Sequence, residues 1–420
     1  MGRRIAIIGS GISGLVCGHL LHRHHDVTLY EAQDYIGGHT HTVDVELHDH
    51  SYAIDTGFIV FNDWTYPNFI RLMDKLGVHK QATEMSFSVK NTGSGLEYNG
   101  NNLNSLFAQR RNLFRPWFYQ FLREILRFNK ACKQLLEKDA HAIPLTLGDF
   151  LQQLRFSEAF AQNYILPMCA AIWSASLDDA RQFPMRFFLQ FFNNHGLLNV
   201  SHRPQWYTLI GGSRAYIAPM IQGFENNILL NSPVQSVSQS TKGYSVSAAN
   251  QPDKEFDEVI FACHSDQALA LLATPTSSQK EILGAMPYAS NEVVLHTDTN
   301  LLPKRTLAWA SWNYLLKHNA DTRQPASVTY NMNILQRLRA DTTFCVTLNN
   351  TQDIAPGKIL RQFSYSHPQF DLNGIQARSR RNEICGQDGL HFCGAYWYNG
   401  FHEDGVRSAL DVCQRFGASL

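Results

Sequence analysis

The chain has 420 residues; 36 lysines and arginines balance 36 aspartates and glutamates, 44% is hydrophobic and 17% is charged. That length exceeds one simple core, so two domains are the default, and nothing in the composition signals disorder. The even balance excludes an overall field that would draw the chain to nucleic acid. The eight cysteines, Cys17, Cys132, Cys169, Cys263, Cys345, Cys385, Cys393 and Cys413, form no C-x-x-C pair. They read as reduced core residues of a cytoplasmic protein, not as a disulfide frame or a zinc site. The start mimics a signal peptide, but no A-x-A-like cleavage site follows, and no apolar run is long enough to span a bilayer. The expected protein is soluble, or at most peripheral to the inner face of a membrane.

Arg4 to Ala32 reads RIAIIGSGISGLVCGHLLHRHHDVTLYEA. Ile5 to Ile8 is an apolar run of strand type, and Gly9, Gly11 and Gly14 follow as G-x-G-x-x-G, enclosing Ile12 and Ser13. Leu15 to His24 predicts a helix and Val27 to Tyr30 a second strand. Glu31 ends that strand, 17 residues after Gly14. Gly9 permits the tight turn, Gly11 lets the backbone approach a pyrophosphate, and Gly14 lets the helix pack on the strands. The helix N-terminus offers free N–H groups to phosphate, and Glu31 is placed to accept hydrogen bonds from an adenosine ribose. The whole pattern predicts dinucleotide binding.

Gly37 and Gly38 then form a second close-approach loop, continuing as His39-Thr40-His41-Thr42. His39 and His41 read as a solvated loop or as metal ligands, but no acid or cysteine lies at ligand spacing, so no metal is expected. Here the sequence resembles the flavin-containing amine oxidase superfamily of monoamine oxidases, protoporphyrinogen oxidase and phytoene desaturases. It is most similar to a bacterial subgroup of NAD/FAD-binding oxidoreductases with G-G-H-T-H-T in this loop. The resemblance implies an α/β fold: a Rossmann-like, glutathione-reductase-type FAD domain with an interleaved α+β substrate domain. It also implies FAD contacts from Ala32, Gly37, Gly38, His39 and Thr40, with His39 standing where the family usually has an arginine.

Val43 to Leu47 and Tyr52 to Ile54 predict a hairpin around Asp49-His50. Asp55 to Phe58 matches the family's D-x-G segment, which implies Gly57 and Phe58 beside the flavin ring. Tyr66 to Leu76 has helical spacing and stops at Gly77. Met85 to Val89 and Leu96 to Tyr98 predict strands, and Leu113 to Leu136 a long helix. That helix carries Arg115, Arg123, Arg127, Lys130 and Lys133 among aromatic residues, which suits either an anionic membrane surface or an ordinary surface helix. Thr146 and Asp149 have the spacing of a helix cap. Phe187, Phe188, Phe191 and Phe192 fall on one helical face, which is either core or the lining of a channel for an apolar substrate.

After Gly211 and Gly212, Arg214 to Gln222 fits a helix. Ser232 to Val237 resembles the family segment whose valine backbone contacts adenine, which implies Val234. Phe256 to Cys263 predicts a buried strand. Glu292 to His296, Leu307 to Trp312, Ser327 to Tyr330, Phe344 to Leu348 and Ile359 to Phe363 predict an antiparallel floor for the substrate. Gly389 to Ala395 followed by His402 to Ala409 resembles the C-terminal FAD motif, implying contacts from Gly394, Glu403, Asp404, Gly405 and Val406. Many relatives have an acid where Ala395 stands. The expected division is 1–84, 206–266 and 385–420 for FAD, and 85–205 with 267–384 for the substrate.

A fingerprint at both ends argues for FAD over NAD, and no cysteine matches the covalent-attachment motif, so a non-covalent cofactor is expected. The flavin carries the chemistry and the protein positions the substrate. Tyr396 and Tyr398 are candidates for catalysis and Trp397 for the substrate wall, the alternative being that these aromatics close the core. Lys304 reads either as holding a water at flavin N5, as the resemblance implies, or as an exposed turn after Pro303. The expected activity is oxidation or desaturation of an apolar substrate, such as a fatty acyl chain or lipid, by hydride transfer to N5. An amine oxidase and a redox-neutral FAD-dependent isomerase are the alternatives. Substrate identity, electron acceptor and oligomeric state stay open.

Overall fold

The computed structural model describes residues 2–137, 145–173, 175–317, 323 and 327–420. Its first layer is a five-stranded parallel sheet in the order Ile228–Leu229, Asp26–Tyr30, Arg4–Ile8, Glu258–Phe261, Leu390–Phe392. Ile5, Ala6 and Ile7 at its centre are fully buried, as a strand covered on both faces must be, and this is why the run is apolar without alternation. The helices Ile12–Leu21 and His402–Arg415 pack together against it. The first begins at Ile12, not Leu15, because Gly11 already serves as its extended N-cap, with φ −61° and ψ 173°.

The hairpin Thr42–Leu47 and His50–Asp55 turns at His48-Asp49, one residue earlier than expected, with both residues at positive φ (51° and 61°). That is the handedness a tight hairpin turn needs. The strands Gly243–Ala248 and Lys254–Phe256, which sequence reading missed, extend Val234–Ser240 into a small antiparallel sheet. Their serine-rich stretch hides an alternation of buried Tyr244, Val246 and Ala248.

The second large layer is a seven-stranded sheet: Ile359–Pro368, Tyr288–His296, Cys345–Leu348, Val328–Asn331, Trp312–Leu316, Phe87–Asn91, Leu96–Asn99. It is antiparallel except that Trp312–Leu316 pairs in parallel with Phe87–Asn91. The strand expected at Leu307 to Trp312 is instead a turn at Thr306–Ala308, and the strand proper starts at Trp312. Asn313 explains the shift: its side chain accepts from Ala310 N at 3.0 Å and donates to Ala310 O at 2.7 Å, so the preceding loop is tied to a side chain rather than to a neighbouring strand.

Helices cover this sheet. Pro116–Glu137 starts on a proline, which suits a first turn whose N–H has no partner. Leu147–Gln153 is capped as its spacing predicts, with Asp149 N donating to Thr146 Oγ1 at 3.1 Å and Thr146 N to Asp149 Oδ2 at 3.0 Å. Asp55 ties the layers together. It accepts from Thr42 Oγ1 (2.6 Å), Ser213 N (2.8 Å) and Gln336 Nε2 (3.0 Å). Burial pushes its carboxyl up to about 6 in spite of these bonds.

A second polar node lies at the N-terminal edge of the parallel sheet. His391 Nε2 meets Glu258 Oε2 at 2.9 Å, and Arg3 pairs with the same carboxylate. Burial opposes charge on His391, but the nearby Cys385 thiol and its bond to Glu258 together raise it above the ordinary histidine value. Burial also works against the Glu258 carboxylate, and His391 and Arg3 together hold it below the ordinary value. The histidine's contribution is therefore complete below about 6.5 and lost as pH rises through its raised pKa; the glutamate's is complete above about 4.5 and lost as pH falls. Replacing His391 with Gln should cost about 2 kcal/mol near pH 6 and less at pH 9, measured by denaturation of both proteins across that range.

Candidate cofactor and substrate site

One cavity of about 1540 Å³ runs from the first glycine turn to the outer helix Pro116–Glu137. At its inner end three glycines play different parts. Gly9 sits at φ +104°, with its N–H on Tyr30 O at 2.8 Å. A Cβ on Gly14 would stand 1.9 Å from Gly9 O, so this residue sets the approach of helix to strand. A Cβ on Gly11 would meet nothing within 4 Å, and Gly11 lines the cavity. Nothing inside the protein requires a glycine there; the open space in front of it is the cradle a pyrophosphate would fill. The helix starting at Ile12 has no side-chain cap, so its first N–H groups are left for a ligand.

Glu31 is buried, accepting Ser10 N (2.9 Å) and Ser10 Oγ (2.6 Å) on one oxygen and Gln33 N (2.9 Å) on the other. These bonds fix its carboxylate on the cavity wall beside Ala32, and Ser232, whose N–H donates to Glu31 O at 2.9 Å, lines the same cavity with Pro233 and Val234. Gly37 N donates to Ser10 Oγ at 3.1 Å, and a Cβ on Gly38 would lie 3.2 Å from Gly11 Cα, so the two glycine loops stack.

The middle of the cavity is lined by His39, Gly57, Phe58, His264, Tyr288, Tyr365, His367, Gly394, Ala395, Tyr396 and His402. Phe58 and His402 stack at 3.8 Å, nearly parallel at 5°. Four imidazoles share this region, and all are held neutral at pH 7. Burial lowers His402 to about 3 and His367 to about 4. Burial, and then the neighbouring His367, His264 and His402, push His39 well below the histidine range. His39 Nε2 is buried with no partner in the protein, which suits a polar contact to a ligand. Among the described residues no group of histidines, cysteines and acids could hold a metal ion.

Several expected site residues do not line the cavity. Glu403 caps the helix Pro67–Leu76, accepting Phe69 N at 2.8 Å and Asn68 Nδ2 at 2.6 Å. Asp404 caps its own helix through Phe401 N at 2.9 Å, and burial pushes it up to about 7. Gly405 is a packing residue: a Cβ there would meet Ile12 Cγ2 at 2.6 Å. Val406 is core, and Thr40 lies behind the wall, bonded to Tyr216 and to His402 Nε2. Trp397 lies under the Arg381 guanidinium, 5.1 Å from its ring, and Tyr398 donates to Asp411 Oδ2 at 2.6 Å. Lys304 is tied by its backbone N–H to Glu97 at 2.9 Å, away from the cavity. Of the four phenylalanines only Phe191 reaches it. Phe188 and Phe192 stack on each other at 3.9 Å in the core, and Phe187 packs on Phe370. A shared helical face does not mean a shared environment: Phe191 and His195, one turn apart, take the cavity side.

Sequence reading missed the real outer wall. Tyr164, Met168 and Ile172 line it at successive helical turns, with Trp173, Leu122, Ile125 and Leu126. The strand Ile359–Pro368, expected to end at Phe363, runs on along the cavity, and its residues from Phe363 to Pro368 line it, Tyr365 and His367 at the middle. The helical spacing of Tyr164, Met168 and Ile172 is present in the sequence; the direction that stripe faces is not.

The family model described as flavin containing amine oxidoreductase matches residues 12–336. A search of curated proteins finds no significant match. Among solved structures the chain is similar to a mutant of putrescine oxidase made in a redesign of its cofactor binding, with TM-score 0.71, 15% identity and 99% of each chain covered. It is similar to a CLA-producing fatty acid isomerase from P. acnes, with TM-score 0.69, 16% identity, and 99% of this chain and 98% of that one covered. Cyclohexylamine oxidase from Brevibacterium oxydans gives TM-score 0.69 at 15% identity, covering 99% of this chain and 100% of that one. Changing Gly11 to Val should leave the melting temperature of the flavin-free protein within about a degree while lowering FAD affinity at least tenfold, read by flavin absorbance after dialysis. Gly14→Val should instead destabilise the fold itself.

Proposed function

We propose, for a chain that belongs to the flavin-containing amine oxidoreductase family, that this FAD-dependent oxidoreductase removes hydrogen from an apolar acyl chain or lipid. On this reading residues 1–84, 206–266 and 385–420 hold the cofactor non-covalently, and 85–205 with 267–384 hold the substrate. Gly11 and the helix beginning at Ile12 would hold the pyrophosphate, Glu31 the ribose, and Val234 the adenine side. His39, Gly57, Phe58, Tyr396 and His402 would surround the ring. When bound, FAD supplies the acceptor for a hydride equivalent.

The observation that carries the substrate class is the charge of the walls. Among the described residues the only acids lining the cavity are Glu31 and Asp34, beside the first glycine turn. The arm past the middle is walled by Leu122, Ile125, Met168, Ile172, Trp173 and Phe191. An ammonium group entering that arm would lose its water with no carboxylate to meet it, whereas an acyl chain gains from every apolar contact. The neutral imidazoles around the middle add no fixed charge. The same arm supports a second reading, redox-neutral isomerisation of an acyl chain.

The test is anaerobic. Long-chain fatty acid or phospholipid should bleach the visible flavin band, and a panel of amines should not. Bleaching by amines alone overturns the acyl reading; a shifted double bond without bleaching favours isomerisation. Replacing Ile172 with Asn should lower kcat/KM for a long acyl chain about tenfold at unchanged flavin content, because an unpaired amide in that wall costs about 1–3 kcal/mol.

A further inference from the structure

We propose that the outer face of the helix Pro116–Glu137, together with the cavity mouth beside it, docks on an anionic lipid bilayer. Docking itself needs nothing from the acyl reading; only what passes through the mouth rests on it. The whole chain is neutral, yet residues 110–133 hold seven arginines and lysines and a single acid, Glu124. That acid is turned inward, where it accepts Ser157 N at 2.9 Å. Tyr119, Arg123, Leu126, Lys130 and Lys133 follow at helical spacing along one stripe, and all five are exposed. Arg123, Lys130 and Lys133 have no hydrogen-bond or carboxylate partner among the described residues.

This stripe meets the rim of the cavity at Leu126. Leu126, 56% exposed, lines the mouth, and so do Leu103 (75% exposed), Val200 (69% exposed) and Arg203. Beside it lies a second hollow of about 530 Å³, with Lys130 and Lys133 on one wall, Leu198 and Val200 on the other, and Glu137 also lining it. Large apolar side chains are thus exposed around an opening and flanked by unpaired cations. Lysine and arginine can lay their stems along apolar groups and raise their charges to the level of lipid phosphates. The positive rim complements anionic headgroups, and its apolar centre complements the acyl region below them. Among the described residues no helix is long and apolar enough to cross a membrane, so the contact would be interfacial.

The test uses the FAD-loaded protein and sedimentation with vesicles of phosphatidylcholine, alone or with phosphatidylglycerol. Binding should require phosphatidylglycerol and weaken as salt is raised. The triple variant Arg123→Glu, Lys130→Glu, Lys133→Glu should lose at least ~100-fold in partitioning, at about fivefold per cation, with flavin content and melting temperature unchanged. Leu126→Asn with Val200→Asn should lose at least fivefold. Failure to bind either vesicle, equal binding to both, or variants that bind like the parent each overturn the proposal. Flavin bleaching by a short, water-soluble acyl substrate is measured in parallel. Bleaching without vesicle binding removes the docking surface and leaves acyl oxidation standing; vesicle binding without bleaching does the reverse.

Discussion

The contact on which the rest depends is between two pieces of backbone. Gly14 has no Cβ, and one would stand 1.9 Å from the carbonyl of Gly9. The helix from Ile12 can therefore press against the end of the strand Arg4–Ile8 and aim its unsatisfied N–H groups beyond the sheet. Every other part of the cofactor end is referred to that point. Ser10, held between Gly9 and Gly11, bonds both Glu31 and Gly37 N, so the acid and the second glycine loop take their positions from the first turn. The C-terminal helix is registered the same way, through Ser13 Oγ donating to Gly405 O at 2.9 Å. A parallel sheet gathers the ends of its strands on one edge, which is why residues so distant in sequence meet there.

The cavity exists because two layers are held apart and yet locked in register. Asp55 and Gln336 lock them at one point, with Asp55 N on Gln336 Oε1 at 2.9 Å and a second bond between their side chains. His41 Nδ1 and Tyr365 OH, at 2.7 Å, lock them at another, and Thr56 Oγ1 meets the same hydroxyl at 2.9 Å. Between these ties the walls carry almost no charge. Burial strips the histidines of their protons, so the middle of the site is polar in hydrogen bonding but neutral in field. Such a site favours a ligand that brings aromatic or aliphatic surface and few charges of its own.

The acids of the C-terminal helix show how an apt residue type can serve another purpose. Glu403 and Asp404 stand at a helix start, where negative charge is favourable. In the folded protein the first closes the neighbouring helix Pro67–Leu76, and the second closes its own. His402, which carries no such signature, takes the cavity position and stacks on Phe58. The phenylalanine helix makes the same point about apolar groups. Its periodicity required a buried face, and burial was achieved mostly by side chains stacking on each other, not by facing the cavity.

What the sequence by itself determined is local. The glycine spacing after an apolar strand, the acid at the end of the next strand, the capping pair Thr146 and Asp149, and the end of a helix at Gly77 rest on backbone geometry within a few residues, and periodicity shows whether an element has an apolar face. The seven-stranded sheet draws its strands from both sides of residue 206, so no local rule could order them or show one parallel pair among antiparallel ones. Only tertiary structure decided which apolar stripe met another stripe and which met empty space. That choice separated Phe191 from Phe188 and Phe192, turned Glu403 away from the site, and brought Met168, Ile172, Tyr365 and His367 into it. The physical reason is that a side chain's direction is set by its own backbone, but what lies in that direction is set by segments hundreds of residues away.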